Sequence, residues 1–98
     1  MIIEKGLSVG DVITIKLSSG EEVIAKLVEE NDIYIKVSKP RVLTSAQGGI
    51  GLAPYLFTVD PDKDIKMYRA SIVVIEISES DYASQYISGT TGIQLVWP

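Results

Sequence analysis

Three short runs of alternating apolar and polar residues, separated by turn signals, constrain this chain more than any other feature. In residues 11–17, Ile13, Ile15 and Leu17 share one face while Thr14 and Lys16 take the other, the two-residue period of a half-buried strand. Ser18-Ser19-Gly20-Glu21 follows as a tight turn, with Gly20 able to adopt the positive φ that a hairpin wants. In residues 22–29, Val23, Ala25 and Leu27 face inward, and Ile24 and Val28 leave the outer face unusually apolar. Glu30-Asn31-Asp32 forms the next turn from residues that tolerate left-handed geometry. Ile33, Ile35 and Val37 then alternate with Tyr34 and Lys36. The pattern predicts a three-stranded antiparallel meander.

After Lys39-Pro40 the alternation loosens. Residues 41–44 are expected to continue the third strand past a proline-marked bend. Residues 45–54, containing Gln47-Gly48-Gly49-Ile50-Gly51, read as a flexible excursion. A short strand is expected over 55–59, a turn over 60–64, and a strand over 65–68 that breaks at Arg69-Ala70. Residues 71–78 carry Ile72, Val73, Val74, Ile75 and Ile77, so both faces of that strand are apolar. A sheet edge facing water would carry charge on one side. The strand is therefore either central in a closed barrel or paired with another subunit. Ser80 can cap a short helix through about Ser88, with Gly89 as its stop. Ile93, Leu95 and Trp97 alternate as a final strand would, either docking on their own barrel or adding to a neighbour or partner.

Composition narrows the function classes. The 98 residues suit one domain, 1–98, and an apolar fraction of 46% argues against disorder. With no cysteine and no histidine, disulfides, thiolate or imidazole metal sites, and Cys-His or Ser-His catalysis are excluded. Only carboxylates, lysines and hydroxyls remain for chemistry, and no pair of acids stands at convincing positions. The expectation is a binding protein with no cofactor, not an enzyme. A net charge of −4 works against non-specific attraction to phosphate backbones without forbidding a local basic spot. No apolar run has the length of a signal peptide or a membrane span, so a cytoplasmic protein with no membrane partner is expected.

The order of strands and turns resembles the Sm-like family, which includes eukaryotic Sm proteins and bacterial Hfq. The first motif of that family corresponds to Val12-Ile13-Thr14-Ile15-Lys16-Leu17, Gly20, Ala25-Lys26-Leu27, Asn31-Asp32 and Ile33-Tyr34-Ile35-Lys36-Val37; the second resembles Tyr68-Arg69-Ala70-Ser71-Ile72-Val73-Val74-Ile75. Divergent small Sm-like proteins carried by phages look most similar, which would place the chain in a host cytoplasm. Ala25 stands where the family usually has glycine, and Ala70 where it has glycine or histidine. The resemblance implies a mostly β fold: a five-stranded, bent antiparallel Sm-like small barrel. It would carry a long inserted loop or hairpin region at 38–64 and a short C-terminal helix and tail at 79–98, with the N-terminal helix reduced to at most a turn in 1–7. It also implies a homo-oligomeric ring, closed head to tail through exposed edges, with Ile72, Val74, Ile75 and Ile77 at the subunit interface.

In Sm-like rings, RNA bases lie around the pore. Carried over residue by residue, this points to Asn31, Asp32 and Tyr34 in the turn before the third strand and to Arg69 in the break before the last. The implied partners are a second copy of the chain, single-stranded RNA and a protein. Arg69 could bond a phosphate or stack on a base, and Tyr34 could serve as a stacking platform. In the plainer reading, Arg69 pairs with Glu76 or Asp64 and Tyr34 fills a subunit contact, leaving a structural or assembly protein without nucleic acid. Lys36, Lys39, Arg41, Lys63 and Lys66 are scattered among acids, as on an ordinary solvated surface. Asp60, Asp62 and Asp64 alternate like the start of a calcium loop, but lack its glycine and terminal glutamate. Pro61 favours a plain turn, and no metal is expected. The glycine-rich 47–51 segment lacks the residues of a phosphate cradle and reads as a mobile rim loop.

Overall fold

The computed structural model describes residues 6–46 and 48–91. The expectations for the first residues and for a strand through Ile93, Leu95 and Trp97 fall largely or wholly outside the described residues. The meander forms as its alternation dictates. Strand β1 (Val12–Leu17) pairs antiparallel with β2 (Glu22–Glu30), and β2 pairs with β3 (Tyr34–Ala46). At the first turn Gly20 has φ +107°, and its N–H donates to the Leu17 carbonyl at 2.9 Å. At the second, the Asn31 side-chain oxygen accepts from the N–H groups of Ile33 and Tyr34, each at 2.9 Å. That bond turns the backbone where a strand would otherwise continue.

Strand β3 bends midway. Lys39 has φ +51°, a left-handed conformation rare for a residue with a side chain, and Pro40 beside it has no N–H for the ladder. The β2–β3 register slips there, between Ile24–Arg41 and Lys26–Ser38. Past the bend β3 runs on and pairs with β4 (Gly49–Pro54) as a hairpin. Residues 45–54 are therefore a hairpin and not a loose loop, and 55–59 hold no strand. Ala46 pairs with Gly49, and Gly48 before it has φ +80°, the positive value a tight hairpin turn needs.

Strand β5 (Ile65–Tyr68) pairs with the first half of β3, and a 3-10 turn, Arg69–Ser71, leads to β6 (Ile72–Ile77), which pairs with β1. The sheet has six strands, ordered β4-β3-β2-β1-β6 with β5 also on β3. The five strands expected for a closed barrel become an open six-stranded antiparallel sheet, because the inserted segment supplies an additional strand and no ladder joins β5 to β6 among the described residues.

The sheet is nonetheless strongly curled. Strands β5 and β6 end the path β5-β3-β2-β1-β6, and in a flat sheet those ends would lie about 19 Å apart. A 3-10 turn covers about 8 Å from Tyr68 to Ile72. Curling encloses a core of Ile13, Ile15, Leu17, Val23, Ala25, Leu27, Ile35, Val37 and Met67, with Ile65, Ile72 and Ile75 packed against it. Each buried aliphatic side chain contributes about 1.5–3 kcal/mol.

The apolar outer face also has its reason. Helix α1 (Ser80–Thr91) crosses it, and Ile24 there is 1% exposed. The helix runs through Gly89 instead of stopping there. Thr90 Oγ1 donates back to the Tyr86 carbonyl at 2.8 Å, and Lys39 Nζ donates to the Thr90 carbonyl at 3.0 Å, holding the last turn in place. Among the described residues no helix is long and apolar enough to cross a membrane.

Candidate functional site

The two segments singled out in the sequence meet at one end of the sheet. Arg69 Nε donates to the Asn31 carbonyl at 2.6 Å, and the Arg69 N–H donates to the Ile33 carbonyl at 2.9 Å. Pairing of β3 with β5 brings residue 69 to this turn, 38 residues away along the chain. Arg69 is thus held by turn backbone, and neither Glu76 nor Asp64 forms an ion pair with it within 4.0 Å. Asp32 and Ile33 stand exposed beside it, Ile33 by 68%.

Strand register builds an aromatic pair next to that junction. Tyr34 lies opposite Tyr68 in the β3–β5 ladder, and their rings meet edge to face, 6.1 Å apart at 66°. Such geometry sets the positive edge of one ring against the negative face of the other. Tyr68 remains 55% exposed. One step along, Lys36 lies opposite Lys66, a like-charge pair that would repel. Each finds other company: Lys66 Nζ sits 4.9 Å from the centroid of the Tyr34 ring, and Lys36 Nζ is 4.0 Å from Glu29. Glu29 also accepts from the Tyr34 hydroxyl at 3.3 Å. The cluster therefore offers two aromatic rings, three cationic side chains and two acids, Glu29 and Asp32, on the flanks.

Asn31, Asp32, Tyr34 and Arg69 come together as a group. Tyr68 and Lys66 join them, the first expected only as part of a motif and the second as an ordinary surface charge. The usable signal was the matching Tyr-x-Lys of residues 34–36 and Lys-x-Tyr of 66–68, which put like residues opposite one another when the strands run antiparallel.

The residues expected at a subunit interface divide between two environments. Ile72 and Ile75 pack against the core. Val74 is 46% exposed and Ile77 51%, and the neighbouring Val73 is 65% exposed. Ile77 lies opposite the buried Ile13, so it points to the core side but at an edge that nothing covers among the described residues.

The other candidates resolve as local structure. Asp60 accepts from the Asp62 N–H at 2.9 Å, while Arg41 donates to the Pro61 carbonyl at 2.7 Å and to Asp62 at 3.2 Å. This is a clamped turn, and among the described residues no group of three or more Asp or Glu side chains could hold a metal ion. No family model matches the chain, and no curated protein matches it.

Proposed function

We propose that this chain is an Sm-like protein that assembles head to tail into a homo-oligomeric ring and binds single-stranded RNA beside the Asn31–Arg69 junction. The observation that carries the reading is the 2.6 Å bond from Arg69 Nε to the Asn31 carbonyl, which unites the two motif halves of the resemblance in one place. Tyr34 and Tyr68 offer faces and edges for bases, and Lys66, Lys36 and Arg69 offer charge to phosphates. Assembly is favoured by the unpaired outer edge of β6 among the described residues, with Val73, Val74 and Ile77 open to solvent. Several copies of Arg69 around one pore would make a locally positive site on a chain of net charge −4.

Native mass spectrometry combined with titration of oligo-U and oligo-A at low and high salt tests this directly. The expected result is a closed assembly whose RNA affinity falls with salt and weakens with Arg69→Ala. Stable monomers, or an assembly that ignores both oligonucleotides, overturn it. A structural or assembly protein using the same ring without nucleic acid is the second reading. Glu29 favours it, since its carboxylate occupies the Tyr34 hydroxyl and neighbours Lys36. An assembled ring without RNA affinity selects it.

A further inference from the structure

A groove of about 530 Å³ lies on the outer face, between the start of α1 and the β3–β4 hairpin. The groove has apolar walls and floor from Ile24, Leu43, Ile50 and Tyr82. Ile24 beneath is 1% exposed, whereas Ile50 and Tyr82 remain 53% and 37% exposed, so the walls are open to a visitor. Glu21, Glu22 and Glu79 stand among the lining residues with one cation, Lys16. The Ser19 hydroxyl donates to Glu21 and holds its carboxyl below the usual range, so it stays ionised at neutral pH. No residue between Arg41 and Asp60 is charged, so the hairpin wall does nothing to offset these acids.

We propose that this groove is a docking site for a partner protein segment in which lysine or arginine alternates with aliphatic residues. Aliphatic side chains would lie on Leu43, Ile50 and the Tyr82 ring, above the buried Ile24, while the basic ones meet Glu21, Glu22 and Glu79. An excess of carboxylates repels phosphate, so nucleic acid is the wrong occupant. Residues 92–98 of the chain itself contain no charged side chain and lack the complementary sign. The cationic cluster beside Arg69 is a separate set of residues, although the curled sheet brings Lys66 and Tyr68 near Ser18 and Ser19, next to the acidic turn. The groove site stands without the RNA reading, since none of its residues belongs to that cluster.

Fluorescence anisotropy of the full chain with a short alternating Lys-Leu peptide and its Glu-Leu counterpart tests the proposal. The Lys-Leu peptide is expected to bind with affinity that falls with salt, and the Glu-Leu peptide not to bind. Joint Glu21→Gln and Glu79→Gln is expected to weaken binding about tenfold, and Ile50→Ser to weaken it while leaving the circular dichroism unchanged. Joint Glu30→Gln and Asp64→Asn removes the same charge elsewhere and is expected to change little. Equal losses from the two charge pairs would mean general attraction to an acidic protein and overturn the site. So would equal binding of both peptides, nuclear Overhauser contacts from residues 92–98 to Ile24, or a groove that a second copy fills as protein concentration rises.

Discussion

The Tyr86 hydroxyl donates to the Ser38 carbonyl at 2.7 Å, and so plugs the defect that the Lys39–Pro40 bend leaves in the β2–β3 ladder. The Lys39 carbonyl lies 3.0 Å away, and the Lys26 N–H donates to the same hydroxyl at 3.1 Å. One phenol on the helix thereby satisfies backbone groups on two strands, and the residue itself is 2% exposed. Removing only the oxygen with Tyr86→Phe strands a buried N–H and its partner carbonyls, at a cost of about 1–3 kcal/mol. Urea unfolding should show that loss as a lower midpoint with an unchanged slope. Tyr86→Ala should cost more, about 3–5 kcal/mol, because a cavity is added.

Alkaline pH should attack the same bond. Burial is the largest cause raising the Tyr86 pKa to about 12, from an ordinary 10.0. Because the folded value lies above the unfolded one, the protonated phenol's contribution to stability is intact below pH 10 and is lost as pH rises through 12. Tyrosinate absorbance should report a phase near pH 12 accompanied by loss of helical signal, and Tyr86→Phe should abolish that phase, leaving Tyr55, whose pKa burial also raises, to titrate without it. A loss of helical signal at that pH that persists in the variant contradicts the assignment.

The turn that carries the candidate site rests on Asn31. Asn31→Ala frees the N–H groups of Ile33 and Tyr34, and the cost should be about 1 kcal/mol. Asn31→Asp keeps the acceptor and should retain most of that stability. If the turn also positions Arg69, Asn31→Ala should weaken RNA binding while Asn31→Asp spares the Arg69 contact, which is to the main chain. Equal binding by wild type and Asn31→Ala would separate the turn from recognition.

The meander was legible in the sequence because Ile13, Ile15, Val23, Leu27, Ile35 and Val37 all sit in phase on the face that becomes the core. β4 was not, since Gly49 and Gly51 erase the side-chain alternation that marks a strand, and its pairing with Leu43 and Val42 is invisible locally. The apolar outer position Ile24 was noticed, but nothing local shows that a helix 60 residues on would cover it: Lys26 and Tyr86, joined by a hydrogen bond, have that separation. The helix outran Gly89 because Lys39, a distant residue, caps its end. At the site, the nearness of Asn31 and Arg69 came from a resemblance, whereas Tyr68 and Lys66 required the register.

Assembly through β6 makes a prediction that separates edge from core. Val74 lies opposite Lys16 on the outward side and is 46% exposed, so Val74→Lys, even with the repulsion of Lys16 across the ladder, should leave a folded subunit within about 1 kcal/mol of the parent. A lysine on an unpaired edge opposes pairing with another strand. Sedimentation should therefore show loss of the assembly without loss of structure. Ile75→Lys, partly buried against the core, should destabilise the subunit instead. An assembly that survives Val74→Lys places the contact elsewhere.

The aromatic pair offers the sharpest test of RNA binding, because stacking and charge respond differently to salt. Tyr34→Ala and Tyr68→Ala should each weaken binding by about 1–3 kcal/mol, the usual worth of one stacked base, with the salt dependence unchanged. Lys66→Ala should leave the stacking intact but reduce the salt dependence, since fewer counterions are released per RNA bound. Because Lys66 also sits over the Tyr34 ring at 4.9 Å, the Tyr34→Ala and Lys66→Ala losses should add to more or less than the double variant, whereas Tyr34→Ala and a change at distant Lys63 should add simply. Should the tyrosine variants bind oligo-U as tightly as the parent, the pair serves packing alone and the base-stacking role falls.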